Sequence, residues 1–181
     1  MKDNLFIYDL YRYGRKNETI LQRLNRPKEI QFLRIFRKRQ SANNKLSRIY
    51  YGLKLRRITA KTQIQIPAST KIGRGFYIGH TGRIIINPKA TIGKNVNIAT
   101  GVTIGQENRG KRKGTPIIGD NVWIGTNSVI VGNIKIEDDV LIAPNAFVNM
   151  DVPSHSIVIG NPAKIIHRDN ATEGYINNTV E

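Results

Sequence analysis

From Ile66 to Val148 a β-branched aliphatic residue returns at every sixth position, and this period limits what the chain can fold into. One run is Ile66, Ile72, Ile78 and Ile84, resuming in a shifted phase at Ile86, Ile92, Ile98 and Ile104. A second is Ile118, Ile124, Ile130, Ile136, Ile142 and Val148. Most of these positions are followed by a small residue: Gly73, Gly79, Gly93, Ala99, Gly105, Gly119, Gly125, Ala143. Six fits neither the 3.6 of a helix nor the two of one long strand, so the unit is a short strand plus a turn, repeated.

Three such units close a triangular coil of about eighteen residues. The repeats therefore predict a mainly β chain, a parallel β-helix in which each Ile stacks on the one a coil away, Ile66 on Ile84 for instance. Small residues after each Ile answer the need of a corner for unusual dihedrals or close backbone approach. The phase shift at Ile84 and Ile86 enlarges one corner just after His80. Residues 106–117 leave the period with Gly110, Gly114 and the cations Arg109, Lys111, Arg112 and Lys113, and read as a loop thrown from the prism. Asp151-Val152-Pro153 ends the pattern. The expected organisation is thus a helical basic region at 1–60, a β-helix at 61–152 and a turn and tail at 153–181, mobile from Asn170.

Charge is unevenly spread. The 181-residue chain carries a formal net charge of +16, and residues 1–60, with sixteen Lys/Arg and four Asp/Glu, hold +12 of it. Helical spacing is expected from Asn4 to Tyr13, from Pro27, and from Lys45 to Arg57, with the polar tract Ser41 to Asn44 between the last two. Three readings of this region stay open: a cap with a solvated basic face, a surface resting on an anionic membrane or near a lipid-linked anionic substrate, and a nucleic-acid surface, for which no recognisable module is present. There is no cysteine, which is compatible with a reducing cytoplasm and excludes a thiolate nucleophile. Neither a leader-type apolar run nor a stretch of about twenty apolar residues occurs, so the expectation is a cytoplasmic protein, at most associated with the inner face of the membrane.

A general base working near neutral pH is best sought among the three histidines. His155 lies in the turn after the last coil and His167 in the tail, whereas His80 sits between Gly79 and Gly82 at the enlarged corner. Their placement offers no zinc-type ligand set, and no metal is expected.

The segment Lys71 to Lys164 resembles the serine acetyltransferase-like branch of the hexapeptide acyltransferases. The resemblance rests on K-I-G-R-G-F-Y-I-G-H-T-G (71–82), V-T-I-G (102–105), I-G-D-N-V-W-I-G (118–125), V-G-N-I-K-I (131–136) and V-I-G-N-P-A-K (158–164). It implies a left-handed β-helix and a homotrimer whose cofactor groove lies between neighbouring prisms. It also implies acetyl-CoA as co-substrate, and His80 as the base that takes a proton from an acceptor hydroxyl. By position, Gly105, Gly125, Thr126 and Pro144 resemble the family's cofactor-groove residues. Lys164 would meet the CoA phosphates, with the basic loop as the alternative, and Trp123 would border the groove or pack between subunits.

Some positions depart from that pattern. The aspartate that partners the family's histidine falls on Gln65, the acid just before it on Gly79, and an Arg-His pair of the long loop on Gly114 and Thr115. These substitutions remove the charges that would hold a zwitterionic amino acid. The acceptor expected is therefore a hydroxyl of a sugar or polysaccharide precursor. The alternatives are serine O-acetylation, N-acetylation of an amino sugar, and a non-catalytic hexapeptide-repeat binding or scaffold protein.

Overall fold

The computed structural model describes residues 5–15 and 18–181, so the expected helix start at Asn4 lies outside the described residues. Four helices come first: α1 (Leu5–Arg12), α2 (Ile20–Leu24), α3 (Lys28–Ser41) and α4 (Lys45–Thr62). Helix α2 opens on a capping box, the Thr19 hydroxyl accepting from Gln22 N while the Gln22 side chain accepts from Thr19 N. Helix α3 follows directly on Pro27, and α4 is capped by the Asn44 side chain. It runs five residues beyond the Arg57 expected from spacing, to a left-handed Gln63 that stops it.

The remaining chain winds through three parallel sheets. The first holds β1 (Ile64–Gln65), β4 (Ile84–Ile86), β7 (Thr103–Gly105), β10 (Val129–Val131) and β13 (Phe147–Val148). The second holds β2 (Lys71–Ile72), β5 (Thr91–Ile92), β8 (Ile117–Ile118) and β11 (Lys135–Ile136). The third stacks β3 (Tyr77–Ile78), β6 (Asn97–Ile98), β9 (Val122–Ile124), β12 (Val140–Ile142), β14 (Ser156–Ile159) and β15 (Lys164–His167). Only β14 and β15 pair antiparallel within these sheets.

The isoleucine columns are real, and two details differ from the simple eighteen-residue coil. Ile84 stacks on Ile64, not on Ile66, because the corner after Ile78 carries two extra residues. Both Ile84 and Ile86 of β4 point inward, and Ile86 is the one paired with Ile104. The second difference concerns the corners. Gly73 owes its identity to close approach, since a Cβ there would sit 2.5 Å from the Gly93 carbonyl oxygen. The left-handed dihedrals fall instead on residues two further along, Asn95, Asn121, Asp139 and His155 in one corner column and Asn127 and Asn145 in another. Asn and Asp tolerate this conformation better than other side chains with a Cβ.

Helices α1 and α3 close the open end of the prism. The first coil has no coil before it, and side chains replace the missing ladder. Asp9 Oδ1 accepts from Phe76 N at 2.9 Å. The Tyr13 hydroxyl both donates to Ile78 O and accepts from Ile78 N. Arg37 donates to the carbonyls of Ile72 and Gly73, and Gln40 to those of Ala68 and Thr70. Phe32, Leu33 and Phe36 bury the apolar face of α3 in the core cluster that also holds Ile64, Ile66, Ile72 and Phe76 of the first coil.

Candidate active site

His80 sits at the corner where the chain leaves β3 for β4. Gly82, at φ +134°, turns the chain there, and a Cβ on it would fall on Thr100 Oγ1. The turn is fastened to the end of α4: Gly82 N donates to Thr62 O at 3.0 Å and Ile84 N to Gln63 O at 3.3 Å. The two extra residues thus form a bulge held between a helix end and the next coil. The imidazole is exposed and opens on a cavity of about 590 Å³. Among the described residues it has no hydrogen-bond partner.

The cavity is built by three parts of the chain. The prism supplies Gly79, His80, Asn97, Ala99, Trp123 and Thr126, the first helical segment supplies Arg12 and Tyr13, and the C-terminal segment supplies Tyr175, Asn177 and Asn178. Arg12 ties these parts together. It donates to Gly75 O at 2.8 Å, to Asn97 Oδ1 at 2.7 Å and to Asn177 O at 2.8 Å. Burial lowers its pKa to about 10, which leaves it cationic at neutral pH. Tyr13 stacks on Tyr77 at 4.3 Å between centroids, and burial raises its phenol well above the ordinary tyrosine value. No carboxylate lines the cavity among the described residues.

Below His80 the same corner repeats coil by coil. Gly79, Ala99, Gly125 and Ala143 follow one another in register, each donating its N–H to the coil beneath. They leave a lane of small residues beside Thr126 and Pro144. Gly125 is required by contact, since a Cβ would lie 2.6 Å from Pro144 N. Backbone groups are approachable along such a lane.

The site residues expected from sequence separate into two groups. His80 and Thr126 share the cavity, and Gly125 and Pro144 lie on the same column of corners. Gly105 ends β7 and so belongs to the next corner of the prism. Lys164 opens β15 and is exposed. The loop expected at 106–117 ends one residue earlier, since Ile117 opens β8; it folds back on itself through mutual backbone hydrogen bonds of Glu107 and Gly114 at 3.0 Å, and supplies no residue to the cavity. Trp123 borders the cavity and packs edge-on against Tyr175 at 5.0 Å.

Arg12, Tyr13, Asn97, Tyr175, Asn177 and Asn178 are cavity residues the sequence did not announce. The aromatic clustering of Tyr8, Tyr11 and Tyr13 was the one available hint. The tail, expected to be mobile, instead runs along the third sheet: Asn97 Nδ2 donates to Tyr175 O, and Asn95 exchanges two hydrogen bonds with Val180. His155 is elsewhere, 2.8 Å from Asp139, and His167 lies 3.4 Å from Asp169. Among the described residues no three His, Cys, Asp or Glu side chains could hold a metal ion, and no helix is long and apolar enough to cross a membrane.

Residues 115–149 match the family described as bacterial transferase hexapeptide (six repeats). Over 108 residues the chain is 42% identical to a serine acetyltransferase of Staphylococcus epidermidis, covering 60% of this chain and 51% of that protein. The chain spans about half the length of the curated relatives it matches. It also superposes on soybean serine acetyltransferase complexed with serine, with a TM-score of 0.73 and 27% identity, over 90% of this chain and 70% of that one. A serine acetyltransferase of Brucella abortus in complex with coenzyme A shares the fold, with a TM-score of 0.74 at 23% identity, over 91% of this chain and 66% of the other.

Proposed function

We propose that this hexapeptide-repeat chain, similar to the serine acetyltransferase-like acyltransferases, transfers the acetyl group of acetyl-CoA to an acceptor hydroxyl with His80 as general base. The observation that carries this reading is an exposed imidazole held on a rigid bulge, opening on the same cavity as Thr126 at the head of a lane of small residues. Such a base removes the hydroxyl proton as the oxygen attacks the thioester carbonyl, and gives it to the thiolate sulfur as the C–S bond breaks, releasing free thiol. A protein nucleophile is unnecessary when both substrates are held together. Gly79, Ala99, Gly125 and Thr126 are the residues that would flank the pantetheine, with Lys164 near its phosphates.

L-serine is the acceptor that the relatives favour. A sugar hydroxyl is the second reading, and what supports it is the lack of any carboxylate in the cavity to hold an ammonium. Assembly as a homotrimer belongs to the same proposal, because a neighbouring prism would complete the groove and would supply the missing partner of His80. Thiol release from acetyl-CoA, with L-serine or a panel of sugars as acceptor, tests it. Replacing His80 by Ala is expected to lower kcat by about 10²–10⁴-fold. Equal rates in the two proteins would overturn the assignment of the base, and the acceptor giving the higher kcat/KM decides between the two readings.

A further inference from the structure

The helical region keeps a face that the prism does not use. Helix α2 has no buried residue, and its Leu21 and Leu24 are each 78% exposed. On α4, Leu46 is 81% exposed, Ile49 52% and Leu53 57%, and positions 46, 49 and 53 fall on one stripe of a helix. Basic grooves flank this stripe. One, of about 560 Å³ between α2, α3 and α4, is lined by Arg23, Arg34, Lys38, Lys54, Arg57 and Lys61. The other, which Ile49 and Leu53 of the stripe help to line, carries Arg39, Lys45, Arg48 and Arg56. Among the described residues none of these ten cations has a carboxylate partner, and Lys54 rests over the Tyr50 ring at 4.4 Å.

We infer that this face docks on an anionic phospholipid bilayer, the aliphatic stripe entering the headgroup layer and the two grooves taking lipid phosphates. Exposed aliphatic side chains bordered by Lys and Arg can enter the interfacial layer of a bilayer, and basic side chains next to them gain from the negative potential of the leaflet. A second copy of the chain fits poorly, because it would bring unpaired like charges together. Nucleic acid explains the cations but leaves the exposed leucines without a role. Neither groove shares a lining residue with the His80 cavity, so the inference stands apart from the transferase reading.

Sedimentation of the full chain with vesicles of phosphatidylcholine, or of phosphatidylcholine and phosphatidylglycerol in equimolar mixture, tests this. The chain is expected to sediment with the mixed vesicles only, and to be released as salt approaches about 1 M. Two variants at exposed positions, Leu46→Glu with Ile49→Glu and Leu53→Glu, and Lys54→Glu with Arg57→Glu and Lys61→Glu, are each expected to weaken partitioning at least ten-fold at an unchanged thermal midpoint. Thiol release measured without vesicles reports the transferase separately and should be the same in all three proteins. Overturning results are equal binding to neutral vesicles, no binding to either, or displacement by inorganic phosphate at the concentration of lipid phosphate. A lower solution mass of the leucine variant in the absence of lipid, or tight binding of an RNA oligonucleotide that survives the leucine changes, would overturn it as well.

Discussion

Asp9 and Arg37 form the most buried ion pair in the described chain, with side chains 0% and 3% exposed. Arg37 meets both carboxylate oxygens, at 2.7 and 3.1 Å, and spends its other donors on carbonyls of the first coil. Burial pushes the Asp9 carboxyl up while Arg37 pulls it down. Removing one partner strands the other, so Asp9→Asn is expected to cost about 3–5 kcal/mol in urea unfolding. The double change Asp9→Ala with Arg37→Ala should cost clearly less than the sum of its singles, since no lone charge remains buried. Additive losses would mean that the two residues act independently. A second residue-level expectation concerns Gly82. Its φ and its contact with Thr100 leave no room for a side chain, so Gly82→Ala should shift the His80 bulge and lower kcat by about 10²-fold while the coils below stay folded.

At the scale of elements, one carboxylate fastens the start of the tail, while Arg12, Asn95 and Asn97 hold it further along. Asp139 accepts from Ala171 N, Thr172 N and Thr172 Oγ1 at 3.0, 3.0 and 2.7 Å, and lies beside His155. Burial alone would raise its pKa, but the hydrogen bonds from Thr172 and His155 outweigh this and hold it below the usual 3.8. A depressed carboxyl favours the folded state only when ionised, so its contribution is complete above the unfolded value and is lost as pH falls through the folded one. The anchor at Ala171 and Thr172 is therefore expected to be constant from neutral pH to about 4 and to loosen below that. Trp123, the single tryptophan, reports it through its contact with Tyr175, and Asp139→Asn should show the loosened signal already at neutral pH. The sequence revealed the coils and the His80 corner because both disturb or obey a fixed period that any reader can count. It did not reveal Arg12, Tyr13, Asp139 or Tyr175 in their roles. Their contacts bridge 32 to 165 residues of chain through a few hydrogen bonds each, and such bonds leave no repeat behind.

Across the whole molecule, a stack of coils must end somewhere, and each end exposes backbone groups that would pair with another chain. The far end turns back on itself through the antiparallel pair β14 and β15. The near end has no strand to spare and uses helices instead: Asp9, Tyr13, Arg37 and Gln40 satisfy in turn the backbone of residues 68 to 78. Capping repeats of solenoid proteins do the same work with a polar outer face. A chain lacking residues 1–41 would keep every isoleucine column but leave Ile72, Gly73, Phe76 and Ile78 with open backbone positions, and Ile30, Phe32, Leu33 and Phe36 would no longer cover the first coil. Such a chain is expected to associate through its first coil, giving light-scattering masses that grow with concentration while the far-ultraviolet β signal persists. If the truncated chain stayed at one defined mass with an unchanged thermal midpoint, the helices would not be the cap of the prism.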